Sequence, residues 1–191
     1  MLRLPSAAAC WQHHDKQRLI LETPRLRFVM WDEGDAALLR QLHSSMATTR
    51  YLPDNTPWSL DKAEQRLRGW FAEQARDGTT KYKLLAADGS FIGRAGISRF
   101  GSDQFELGYF LREEVWGKGL ATEAASALAG WFFSGEFASS FIAFTHPENV
   151  ASQRVLRKIG MRERAPILID GVLDTAYELT AGMQSGKPSA S

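Results

Sequence analysis

A single cysteine, Cys10, stands among the 191 residues, so the chain has no intrachain disulfide and no C-x-x-C metal or redox site. Long apolar runs are missing too: none approaches the roughly 20 residues that a membrane-spanning helix needs. Charge of one sign is scarce. Lys and Arg number 23 against 22 Asp and Glu, and the formal net charge of +1 gives no sign of an electrostatic nucleic-acid binder. Repeats, low-complexity blocks and long linkers are also absent. The start, MLRLPSAAACWQHH, faintly suggests a signal peptide, but its apolar stretch is too short and contains Pro5. Residues 1–17 read as a disordered or vector-derived tail on a cytoplasmic protein, and 183–191 as a C-terminal tail.

What remains, residues 18–182, is 165 residues of ordinary globular sequence. The whole chain is 44% hydrophobic and 24% charged, a composition that buries a core without disulfides or metals. LILETPRLRFVMW (19–31) predicts an extended segment broken by Pro24. GDAALLRQLHSS (34–45) has helical periodicity, and RYLPDNTPW (50–58), with two prolines and an Asn, predicts a loop. SLDKAEQRLRGWFAEQARDG (59–78) is an amphipathic helix with Ser59 as N-cap and Gly78 as its stop. KYKLLAAD and SFIGRAGISRF, joined at Asp88-Gly89, form a hairpin, and QFELGYFLR (104–112) continues the meander. A glycine turn and a helix to about Phe133 follow, then a strand at 140–146 and a helix at 149–160 closing on Gly160. ILIDGVLDTAYELT ends the domain as a hairpin turning at Asp170-Gly171. This order predicts an α/β domain with a mixed sheet.

The turn before the third predicted helix, VWGKGLATEA (115–124), loosens the backbone where a helix is about to start. It is not a Walker A loop, because Arg112 and Gly119 stand where Gly and Ser or Thr are needed. It is not a dinucleotide fingerprint either, because Thr122 replaces the small third residue and the chain lacks a βαβ start. Two readings stay open. One is a tight turn and nothing more. In the other, Gly117 and Gly119 let the backbone approach a diphosphate, which the free amides and dipole of the helix start would hold.

ELGYFLREEVWGKGLATEA, followed about thirty residues on by HPENVASQRVLRKIGM, resembles the GNAT acetyltransferases, in particular the branch of ribosomal-protein N-terminal acetyltransferases. The likeness covers roughly residues 18 to 181. It implies a GNAT fold, a mixed central sheet flanked by helices and splayed between two parallel strands, 104–112 and 140–146. It also implies acetyl-CoA as co-substrate, no metal, a primary-amine acceptor, and a monomer or homodimer that needs neither nucleic acid nor membrane. Gly117, Lys118, Gly119, Leu120, Ala121 and Thr122 would hold the coenzyme A pyrophosphate, with Phe110, Leu111 and Asn149 as further cofactor contacts. Trp116 stands where the family's loop usually has Gln or Arg, which removes one side-chain contact to phosphate.

In this chemistry the amine attacks the thioester carbonyl directly, so no enzyme nucleophile is needed. The amine must be neutral, and an α-amine with pKa near 8 meets that condition far more often than a lysine amine near 10.4. A positioned carboxylate can act as general base. Glu106 is the candidate: it shares a strand face with Gly108 and Phe110, while Phe105, Leu107 and Tyr109 point the other way. Its competing reading is a solvated strand glutamate. Many GNAT enzymes place a tyrosine in the final helix as donor to the leaving thiolate. Leu156 takes that place here and donates nothing, whereas Ser152, one turn earlier, matches a serine proposed as donor in the N-terminal acetyltransferase branch. Asn149 heads the same helix and reads as its N-cap, with or without a cofactor contact; His146, before Pro147, reads as a loop residue.

Tyr51, Trp58, Trp70 and Phe71 fall where the family builds its acceptor pocket, and their spacing reads mainly as packing. Asp54 and Asp61 are either solvated charges or attractors of a cationic acceptor. The acceptor classes are a protein N-terminus or a small amine such as a polyamine or aminoglycoside. The rival from another class is a catalytically silent acyl-CoA-binding sensor.

Overall fold

The computed structural model describes residues 18–51 and 56–183. The N-terminal tail with Cys10, Asp54 with the middle of the 50–58 loop, and residues beyond 183 lie outside the described residues.

The segment read as one extended piece is two short strands, β1 (Leu19–Glu22) and β2 (Leu26–Val29), paired antiparallel. Thr23 closes the turn between them: its amide donates to the Leu26 carbonyl at 2.9 Å and its hydroxyl accepts the Leu26 amide at 3.0 Å. The helix read at 34–45 is α1 (Ala36–Leu42), and beyond it comes a short α2 (Met46–Thr49), which Ser45 caps through the Thr48 amide. The amphipathic helix is α3 (Leu60–Asp77), with Ser59 accepting the Lys62 amide and Gly78 left-handed at φ 72°. It buries Ala63, Leu67 and Trp70.

The meander is β3 (Lys81–Ala86), β4 (Phe91–Phe100) and β5 (Gln104–Leu111), followed by α4 (Leu120–Ser134), β6 (Ser140–Thr145) and α5 (Val150–Lys158). The closing hairpin, β7 (Arg162–Ile169) and β8 (Val172–Thr180), turns at Asp170 and Gly171, whose φ values of 45° and 85° suit a two-residue hairpin loop. β7 starts five residues before the hairpin read from Ile167. RERAP has no apolar alternation to announce it, and a register shift between Arg164 and Ile167 accommodates Pro166 on this edge strand.

Among the described residues the strands form one eight-stranded sheet in the order β1-β2-β3-β4-β5-β6-β8-β7. Every pairing is antiparallel except β5 with β6. That parallel pair is in register at Glu106 and Ile142, while β5 stays paired with β4 along its whole length. The sheet therefore opens between β5 and β6 toward the C-terminal end of β5. Two apolar layers flank it. α4 buries Leu120, Ala124, Leu128 and Phe132 against Phe105, Leu107 and Leu111 of β5. On the other side α1 and α3 cover Trp31, Phe91 and Phe110. No helix among the described residues is long and apolar enough to cross a membrane.

Candidate active site

Strand β5 divides the site. Its alternation sends Phe105, Leu107 and Leu111 into the α4 layer, and Glu106, Gly108 and Phe110 toward α1 and α3. Cross-strand rows can be read from the register: Lys81, Gly96 and Gly108 form one, and Lys83, Arg94 and Phe110 the next. Glu106 and Ser98 lie one row further along.

Lys81 crosses these rows. Its ammonium donates to Glu106 Oε2 at 2.5 Å, to the Glu106 carbonyl at 2.7 Å and to the Gly96 carbonyl at 3.2 Å. The glycines make this possible: a Cβ on Gly108 would lie 2.9 Å from Glu106 Oε1 and 3.0 Å from Lys81 Nζ. Burial pushes the Lys81 pKa down, and the Glu106 charge opposes that shift. Glu106 is thus neither a lone base nor a solvated surface acid. Oε1 has no hydrogen-bond partner among the described residues, so one oxygen is held and the other remains available.

On the opposite side of β5, Tyr109 reaches across the gap to α5, and its hydroxyl donates to the Ser152 carbonyl at 3.3 Å. Burial pushes the Tyr109 pKa up to about 12, with the Ser152 contact opposing and the Glu106 charge adding to the rise. The phenol therefore stays protonated, and a donor, at neutral pH. Asn149 caps α5 by accepting the Ser152 amide at 3.1 Å. Leu156 is buried in the core, so the usual tyrosine position is filled by packing. His146 accepts the Glu148 amide through Nδ1 and stacks on Tyr51, as a loop residue does.

The glycine turn lies at the other end of β5. Gly117 and Gly119 sit at φ 75° and 77°, a region open to glycine at no steric cost. The ladder of α4 begins with the Glu123 amide bonded to the Gly119 carbonyl at 3.1 Å, and no side chain caps the helix. Among the described residues the amides from 117 to 122 have no backbone partner. A Cβ on Gly117 would meet nothing within 4 Å, so the space above these amides is open. Free amides, open space and a helix start fit a diphosphate. Trp116 donates its indole N–H to the Leu111 carbonyl at 2.9 Å, tying the turn to β5. The Arg112 amide bonds back to Ile92 on β4, so by alternation the Leu111 amide faces the gap. The Phe110 ring is on the α1–α3 face, against His43 at 4.2 Å, and away from the gap.

Three residues at this site escaped the sequence reading. Arg25 bonds Glu123 Oε2 at 2.6 Å and the Lys118 carbonyl at 2.9 Å, which fixes the turn from 93 residues away. Lys81 and Tyr109 are the others. The strand alternation already placed Tyr109 opposite Glu106; only the opening of β5 from β6 brings it to Ser152. Among the described residues no group of three or more His, Cys, Asp or Glu could hold a metal.

Residues 25–162 match the acetyltransferase (GNAT) domain family. The uncharacterized protein YkkB of Bacillus subtilis (strain 168) is 30% identical over 154 residues, covering 76% of this chain and 86% of its own. The uncharacterized N-acetyltransferase YnaD of the same organism is 26% identical over 144 residues, or 74% and 82% of the two chains. RimL, a ribosomal L7/L12 alpha-N-protein acetyltransferase solved in complex with coenzyme A, shares the fold at a TM-score of 0.72 and 16% identity, over 85% of this chain and 98% of that one. With its glycine turn, its parallel strand gap and these matches, the chain belongs to the GNAT acetyltransferase family.

Proposed function

We propose that this acyltransferase moves the acetyl group of acetyl-CoA to a primary amine by direct attack, with Glu106 as base on one side of β5 and a hydroxyl donor on the other. The arrangement of β5 carries the reading: three residues apart on opposite faces of one strand lie a carboxylate oxygen without a partner and, across the gap, the Tyr109–Ser152 pair. Acetyl-CoA supplies the activated acyl group. The chain supplies the rest. The amides of Gly117, Lys118, Gly119, Leu120, Ala121 and Thr122 would bind the diphosphate, with Lys118 adding charge beside the turn. The backbones of Phe110 and Leu111 and the side chain of Asn149 would line the path from the turn to the reacting end.

Glu106 would take a proton from the incoming ammonium through Oε1, directly or through one water. Lys81 holds the other oxygen, which orients the carboxylate. Tyr109 and Ser152 would donate hydrogen bonds to the departing sulfur. A thiol with pKa near the cysteine reference of about 8.5 leaves partly as the anion, so hydrogen bonding without full proton transfer is sufficient help.

The acceptor classes that fit are a protein N-terminal α-amine, as the likeness to the ribosomal-protein branch suggests, and a small-molecule amine. Amine-dependent release of thiol from acetyl-CoA tests the reading. A silent acyl-CoA sensor would bind the cofactor and release nothing.

A further inference from the structure

Among the described residues, two lysines on the α1–α3 side of the sheet are buried against acids, while the half-buried Arg94 is not. Lys81 pairs with Glu106 at 2.5 Å, and Lys83 with Asp35 at 2.5 Å and Asp32 at 3.6 Å. Arg94, in the same cross-strand row as Lys83, has no carboxylate in ion-pair range among the described residues. Its Nε donates to His43 Nε2 at 3.3 Å, and its guanidinium lies over the rings of Trp70 and Phe110, 5.4 Å from each. The two terminal nitrogens have no hydrogen-bond partner among the described residues, yet they are not sealed from solvent.

His43 does not offset this charge. It is fully buried and stacked on Trp58 at 3.8 Å, and it stays neutral because burial and the charges of Arg94, Lys62 and Arg66 push its pKa down to about 2. Since Nε2 accepts from Arg94, the ring proton is on Nδ1, a buried donor without a partner. Arg66 adds a second positive charge near Arg94. Glu106, the nearby acid, is already neutralised by Lys81. The aromatic walls, the neutral imidazole and the unpaired guanidinium fork leave this face with an excess of positive charge beside the proposed base.

We propose that Arg94 binds a carboxylate of the acceptor, so that the substrates are amines carrying a carboxylate close to the reacting nitrogen. A planar carboxylate matches the free edge of a guanidinium with two parallel hydrogen bonds, and the rings of Trp70 and Phe110 flank that guanidinium. Polycations such as polyamines and aminoglycosides meet Arg94 and Arg66 as like charges, so they are disfavoured. The carboxylate can belong to a free amino acid or to the first residue of an acidic peptide. This inference rests on amine acetylation as the reaction.

The test is thiol release from acetyl-CoA with matched acceptors: alanine against alaninamide, Asp-Ala-amide against Asn-Ala-amide, and spermidine, with KM corrected for amine ionisation. The wild type should favour the carboxylate member of at least one pair by about 10- to 100-fold in kcat/KM. The alanine pair reports on a free amino acid, and the Asp-Ala pair on an acidic peptide N-terminus. Arg94→Gln should erase that preference and Arg94→Lys should keep part of it, with coenzyme A affinity confirming that each variant is folded. Equal or better use of the amide member in both pairs, or of spermidine over every carboxylate acceptor, by the wild type overturns the proposal, whatever the variants do, and leaves the transferase reading standing. If no amine releases thiol, the transferase reading fails by itself. Calorimetry of the same pairs with the coenzyme A complex then decides: tighter carboxylate binding that Arg94→Gln abolishes upholds the anion site, and equal binding overturns it.

Discussion

Lys81 Nζ lies 2.5 Å from Glu106 Oε2, reached from β3 across the paired glycines Gly96 and Gly108 of β4 and β5. Both side chains are largely buried, at 8% and 16% exposure, so neither charge is tolerated well without the other. The pair fixes the candidate base in one orientation. Replacing Lys81 with Met should cost about 3–5 kcal/mol of stability, because it strands a buried carboxylate; denaturant unfolding reads that loss.

Glu106→Gln keeps the shape and removes the base. Turnover should fall by roughly 10²–10⁴ with coenzyme A affinity little changed. Wild-type rates in this variant across the neutral range would reduce Glu106 to a structural partner of Lys81.

At the glycine turn, Gly119→Asp places a Cβ and a negative charge where the open amides face solvent, 3.7 Å from Arg25 at the Cβ position. Asp tolerates the left-handed backbone better than most residues, so the fold should survive. Coenzyme A binding should be lost in calorimetry. Unchanged affinity in the folded variant removes the diphosphate reading.

Tyr109 and Ser152 face one another across the β5–β6 gap, so their effects should not add. Each of Tyr109→Phe and Ser152→Ala should lower turnover by about tenfold to a hundredfold, or roughly 1.4–2.7 kcal/mol. A double variant no worse than the weaker single one would mean that the two serve one donor role. A wild-type rate in Ser152→Ala, at saturating acceptor, leaves Tyr109 as the donor.

Much of this site was legible from local pattern. The alternation of β5 separates Glu106 from Tyr109, and the caps Ser59 and Asn149 stand where their residue types predict. The pairs that matter most for chemistry were not legible. Lys81 and Glu106 meet only through the register of two successive hairpins, and Arg25 meets Glu123 across 98 residues. Nothing in the local sequence marks a lysine that must cross a glycine pair, and an arginine left without an acid is visible only once its neighbours are placed. β7 was shortened for a related reason: an edge strand of charged residues has no apolar period to read.

His43 makes stability depend on pH. Its pKa is near 6.5 unfolded and about 2 folded, so between those values the unfolded chain binds the extra proton. The stabilisation is complete above about pH 6.5 and is lost as pH falls, by about 1.4 kcal/mol between pH 7.5 and 5.5. His43→Phe, which keeps the ring between Trp58 and Phe110, should remove this part of the slope. An unaltered slope would show that His43 takes up its proton as readily in the folded as in the unfolded protein.

The most direct test of the central claim is to measure free thiol and amide product together when the protein meets acetyl-CoA and a primary amine. The account predicts one thiol released for each amide formed, both dependent on the amine and both suppressed in Glu106→Gln. Tight coenzyme A binding with no thiol and no amide, across α-amines and small amines alike, would contradict it.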